Sequence, residues 1–149
     1  MTRTVAESLA RLALEDVPRR LNSSARERLK LHLFDTLVAF HAAVEIPEAG
    51  AVARLGAAWC RGGRGPDSDS VADTWSPGLL ALLTATLIRG TEVDDIHLQS
   101  CTTPGSTAVP PALELVSRHG EEIDPDSFLE ALAAGYEVLA RFGTAVSGP

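Results

Sequence analysis

Residues 25–43 read ARERLKLHLFDTLVAFHAA, and the spacing of their apolar side chains decides the fold class. Leu29, Leu33, Leu37 and Phe40 recur at three- and four-residue intervals, which gathers them on one stripe of an α-helix. Ser24 stands three residues before Glu27, the spacing of a reciprocal N-terminal cap. The pattern runs out around Val44, and Pro47 forbids its continuation because proline lacks an N–H and fixes its own φ. A helix of about 20 residues spans roughly 30 Å, the width of a small domain, so neighbouring segments must pack along it.

Those neighbours carry the same periodicity. Residues 4–14, TVAESLARLAL, bring Val5, Leu9, Leu12 and Ala13 to one face, and Glu15-Asp16-Val17-Pro18 is expected to close that helix. Residues 50–60, GAVARLGAAWC, predict a smaller helix rich in glycine and alanine. The glycine- and proline-bearing run at 61–70, RGGRGPDSDS, predicts a flexible loop. From Ser76-Pro77 to about Arg89, LLALLTATLIR is apolar almost all round and predicts the most buried helix of the domain. Pro110-Pro111 is expected to open the next helix, which Gly120 stops. The last helix has Asp124 as N-cap and Pro125 at its first position. Phe128, Leu132, Leu139 and Phe142 form its inward stripe, and Gly135 permits a close approach. Gly143 is expected to end it.

Composition agrees with a helical reading. Four phenylalanines and one tyrosine leave little material for strands, so the chain is expected to be all-α, a single helical domain over 1–149. Its 149 residues are enough for a core, since a domain of this size buries about 68–70% of its unfolded surface. The formal net charge of −7 and pI of about 5.0 argue against nucleic-acid and anionic-membrane partners, both of which need a basic face. The N-terminus has three acids in its first sixteen residues and no apolar h-region, and no aliphatic run is long enough to span a bilayer. Cys60 and Cys101 make no disulfide framework and are read as free thiols of a cytoplasmic protein.

Chemistry concentrates at 89–113, RGTEVDDIHLQSCTTPGSTAVPPAL. Glu92, Asp94, Asp95 and His97 match no metal-binding motif, so no metal is expected. His97 is a candidate general base, since nearby carboxylates favour its charged form; in a plainer reading Asp94 or Asp95 caps a turn. His32 and His41 read as surface or packing residues, and His119 suits the C-terminal end of a helix dipole. Cys101 would need a neighbouring base to act as a nucleophile. Thr102, Thr103, Gly105 and Ser106 form either an anion cradle or the cap and turn of the following helix. No phosphate-loop or dinucleotide fingerprint is present, and no cofactor is expected.

Taken together, three segments resemble the MmgE/PrpD family, which includes 2-methylcitrate dehydratase, cis-aconitate decarboxylase and iminodisuccinate epimerase. The segments are AESLARLALEDVPRRLNSSARERLKLHLFDTLVAF, then EVDDIHLQSCTTPGSTAVPPALEL, then LEALAAGYEVLARFG. The resemblance spans roughly residues 5–143 and implies the N-terminal part of a helical domain, without the α+β lid inserted in longer members. It also implies cofactor-independent proton chemistry on small polycarboxylates, with histidines as acid and base.

Asp94 and Asp95 match the second and third aspartates of the family's Asp-Phe-Asp-Asp segment, and Glu92 stands for the first. Ile96 replaces a frequent threonine, and Arg89 a frequent histidine. Thr103 occupies the place of the proton-transferring histidine and has no pKa near neutrality to replace it. The resemblance therefore implies a small subunit of a split enzyme. Glu92, Asp94 and His97 would be catalytic, and Asp95, Thr102, Thr103, Gly105 and Ser106 would bind a small carboxylate. A larger chain would bring the lid and the missing histidine. The alternative is a stabilising or regulatory partner with no chemistry of its own.

Overall fold

The computed structural model describes residues 3–61 and 77–147. Its elements, in chain order, are α1 (Val5–Arg11), a π-helical turn (Leu12–Asp16), α2 (Val17–Arg20), α3 (Ser23–Ala43), α4 (Ala49–Arg61), α5 (Pro77–Gly90), α6 (Pro104–His119) and α7 (Pro125–Ser147). The domain is all-α, with no strand among the described residues. Nor is any helix among them long and apolar enough to cross a membrane. The loop expected at 61–70 lies outside the described residues except for Arg61, the last residue of α4.

The first helix does not close at Glu15–Pro18 as expected. It passes through the π turn into α2, and Val17 N–H bonds to Leu12 O five residues back. The wider turn admits Pro18 in the following segment, where the proline ring would press on the preceding turn of a regular helix. It also brings Leu12 and Val17, five apart, into the core together. The reciprocal cap expected at Ser24 and Glu27 is found instead at Thr4 and Glu7. Asn22 caps α3, accepting from Ala25 N at 2.9 Å.

Along α3 the buried positions are Leu29, Thr36, Ala39 and Ala43, with Leu33 and Phe40 half-buried beside them and Leu37 exposed at the edge. The helix packs on α5, α6 and α7, and the N-terminal segment lies along α7. The main core joins Leu12, Val17, Leu29, Val109, Leu129, Leu132 and Ala133. α7 starts as read, with Asp124 Oδ2 accepting from Ser127 N at 2.9 Å. Gly135 lies where an added Cβ would stand 3.2 Å from Ala108 Cβ, which is the close approach of α7 to α6. The helix passes through Gly143 and continues to Ser147.

Two further expectations are corrected. α6 begins at Pro104 rather than Pro110, and carries Pro110 and Pro111 inside it. Pro104 already supplies a first-turn proline, and the bonds around Thr103 described below anchor the earlier start. α5 is also not the most buried helix. It buries Leu83 and Ile88 but leaves Leu82 52% exposed, because α3, α4 and α6 cover only part of its surface. The first half of α6, with Pro104, Gly105, Ser106, Val109 and Pro110 buried, lies deeper.

Candidate active site

The candidate site residues lie on the segment between α5 and α6 and on the helix ends that flank it, and the fold sorts them into three groups. The first is at its entry. Arg89, at the end of α5, reaches Glu92 Oε1 at 2.9 Å and Asp94 Oδ1 at 2.5 Å. The Asp94 side chain has 0% exposure, and its Oδ2 has no hydrogen-bond partner among the described residues. These contacts, with Glu92 and then Asp94, raise the Arg89 pKa and hold the guanidinium charged. Glu92 stays open to solvent in a left-handed conformation, φ 56°, which is uncommon for a residue with a side chain.

The second group is at the middle. His97 N–H donates to Thr102 O at 2.9 Å, closing an antiparallel bridge. His97 Nδ1 lies 2.8 Å from Ser100 Oγ, and Ser100 Oγ lies 2.7 Å from Thr102 Oγ1. This tight loop rests on α7 at Gly143, where a Cβ would come within 2.7 Å of Ser100 and Thr102. Leu98 and Cys101 are pushed outward as a result, and Cys101 takes φ 49°. Its thiol donates to Leu98 O at 3.6 Å. His97 also borders a shallow recess of about 410 Å³ with Glu137, Arg141 and Thr144 of α7.

The third group anchors the exit. Asp95 Oδ1 accepts from Gly105 N at 2.7 Å, placing a carboxylate on the positive end of α6. Its other oxygen lies 3.2 Å from His32 Nδ1 on α3. Gly105 is pressed so closely here that a Cβ would collide with Thr36 Oγ1 and stand 2.7 Å from Asp95 Oδ1. Thr36 itself is held by His32 O at 3.0 Å. The Tyr136 ring tilts against His32, with centroids 5.6 Å apart. Its hydroxyl is buried beside Asp95 and Thr36 without a well-formed hydrogen bond. Burial, reinforced by the Asp95 charge, raises the phenol pKa and keeps it protonated.

The hydroxyls of the turn serve each other. Ser106 Oγ reaches Thr103 O at 3.1 Å and Thr103 Oγ1 at 2.9 Å, and Thr107 Oγ1 donates to Thr103 O at 3.1 Å. The anion on the Gly105 N–H is thus the protein's own Asp95. Among the described residues no group of three or more His, Cys, Asp or Glu is arranged to hold a metal ion.

Sequence reasoning missed His32, Thr36 and Tyr136 as members of the cluster. No local signal could have found them, because they come from other helices. In the sequence Arg89 reads as a helix end and as the replacement of a frequent histidine, and Gly143 as the end of the last helix; neither reading gives the contact each makes with the loop.

A carboxylate-held histidine offers its second nitrogen for proton transfer. His32 Nε2 makes no hydrogen bond with a described residue. The three groups therefore present two imidazoles, His32 and His97, and one open carboxylate, Glu92, along a loop whose entry is tied by the Arg89–Asp94 pair. Neither the curated proteins nor the solved structures compared with the chain gave a match. The model of the MmgE/PrpD N-terminal domain matches residues 3–149, and with its helices and acidic loop in that order the chain belongs to the MmgE/PrpD family.

Proposed function

We propose that this chain is the small subunit of a split MmgE/PrpD-like enzyme that acts on a small carboxylic acid by proton abstraction. A larger chain of the same family would carry the lid domain and the missing histidine. The observation behind this reading is α3. Opposite its buried face, Leu31, Phe34 and Val38 lie in a second apolar row and are 68%, 65% and 51% exposed. A helix apolar on two opposite faces belongs between two layers. Covering Leu31, Phe34 and Val38 would complete the helical core.

In such a complex the loop at 92–106 lies on a shared site. Glu92 and His97, both accessible, orient or move protons, and Asp94 keeps Arg89 in place behind them. Asp95, with Thr102, Thr103, Gly105 and Ser106, shapes the turn against which a substrate carboxylate sits. Proton abstraction beside a carboxylate can lead to dehydration, isomerisation or decarboxylation, and the choice rests with groups on the larger chain.

The test is native mass and co-purification of the tagged chain from its own cells, followed by turnover of small di- and tricarboxylates by any complex. A stoichiometric larger family member is expected, with turnover reduced at least tenfold in His97→Ala and assembly unchanged. A well-folded monomer or homodimer without such a partner would defeat the split-enzyme account. If His97→Ala and Glu92→Ala both leave turnover unchanged in an intact complex, the chain is instead a stabilising partner. The engagement of the Thr103 hydroxyl by Ser106 is consistent with that alternative.

A further inference from the structure

On the side of the domain where the N-terminal segment crosses α3 and α7 there is a cleft of about 280 Å³. Its floor is the main core itself, with Leu12, Val17, Leu29 and Ala133 at the base. Its rim is cationic, carrying Arg20, Arg28 and Arg141 against a single carboxylate, Glu137, which is already bonded to Arg141 at 3.1 Å.

Arg20 and Arg28 have no such carboxylate partner among the described residues. The chain has twenty acids and thirteen basic residues, so carboxylates are plentiful. Arg11, Arg19, Arg26, Arg89 and Arg118 each pair with one. Arg3, Arg20, Arg28 and Arg54 have no carboxylate partner among the described residues, and of these Arg20 and Arg28 line the same apolar-floored cleft. His32 and the Tyr136 ring close its wall.

We propose that this cleft binds a small aliphatic carboxylate, its hydrocarbon body on the Leu12–Val17–Leu29 floor and its carboxylate on Arg20 and Arg28. A guanidinium presents paired N–H groups that match a carboxylate's two oxygens. The floor distinguishes such a ligand from a bare inorganic anion, which gains nothing from apolar contact. The volume falls just below the range of about 300–1,000 Å³ typical of drug-sized ligands, which suits a short-chain acid rather than a nucleotide. No residue of the 92–106 loop lines this cleft. Its wall does share His32 and Tyr136 with the Asp95 cluster, but the binding proposed needs only the apolar floor with Arg20 and Arg28 and does not rest on the loop-centred reading.

The test is calorimetric titration of the full 149-residue chain with sodium hexanoate, and with hexanamide and sodium sulfate as comparisons. Hexanoate is expected to bind saturably at one site, at least tenfold tighter than either comparison. Arg28→Gln and Arg20→Gln are each expected to weaken it about tenfold or more, while Arg19→Gln, a neighbouring arginine outside the cleft, leaves it unchanged. The hexanamide comparison uses unaltered protein, so it decides the matter even if a variant folds poorly. Absence of saturable hexanoate binding overturns the proposal. So does equal binding of hexanamide or sulfate, or binding indifferent to Arg20 and Arg28. An acidic peptide that binds where hexanoate does not would assign the cleft to a protein partner instead.

Discussion

Asp94 and Asp95 are neighbours in sequence and hold opposite ends of the same loop by different means. Asp94 is sealed from solvent and tied to the side chain of Arg89. Asp95, 12% exposed, accepts a backbone N–H at the start of α6 and meets His32 on α3. At the entry the loop depends on a buried charge being matched by a single cation. At the exit it depends on a helix dipole and on a backbone that must come very close. The difference shows that a run of acids in a sequence need not be one site, since adjacent side chains leave the backbone in different directions.

The comparison breaks most severely at the entry. Arg89→Ala strands the Asp94 carboxylate in a buried position, and unfolding by urea should show a loss of about 3 kcal/mol. The double change Arg89→Ala with Asp94→Asn should recover a substantial part, because the uncompensated charge is gone. If the single and double variants are equally unstable, the pair is not what holds the entry.

At the exit, Gly105→Ala should cost about 1–3 kcal/mol by overpacking, since its methyl would meet Thr36 and Asp95. The same substitution at Gly78, where an added Cβ meets nothing within 4 Å, should change stability far less. Equal effects at the two glycines would contradict the close approach as the cause.

The smallest effect sharpens the role of a carboxylate at a helix start. Asp124 caps α7 from its own exposed position, and the Ser127 backbone N–H, above other causes, lowers its pKa. Ionised Asp124 binds that N–H better than the neutral acid, so folding lowers its pKa and the stabilisation belongs to the charged form. It is fully present above the unfolded value of about 3.9 and is lost as pH falls through the lower folded value. The difference in thermal midpoint between the native chain and Asp124→Asn should therefore be present at pH 7 and vanish by about pH 2. A difference that persists in acid would mean that charge is not what the cap contributes.

Much of the fold was legible because helices announce themselves locally. The apolar spacing of α3, the Asp124-Pro125 start of α7 and the close approach at Gly135 all appear where the residues led one to expect them. Errors arose where two local signals competed. Pro104 and Pro110 both offer a helix start, and only the bonds around Thr103 and Asp95 favour the earlier one. Pro18 looked like a terminator, yet a π turn carried the helix past it.

The candidate site was less legible. His97, Glu92 and the paired aspartates stood out in one short segment, whereas His32 looked like an ordinary helix-surface histidine. Only its contact with Asp95 changes that reading.

By itself the sequence determined the helical class, the family and the place of the acidic loop, because each depends on residue types at short spacings along one chain. Only the tertiary structure decided which aspartate is buried, which histidine a carboxylate holds, and which two arginines remain unpaired over a cleft. Those outcomes depend on which side chains meet after helices distant in sequence have packed, and no local periodicity encodes that meeting.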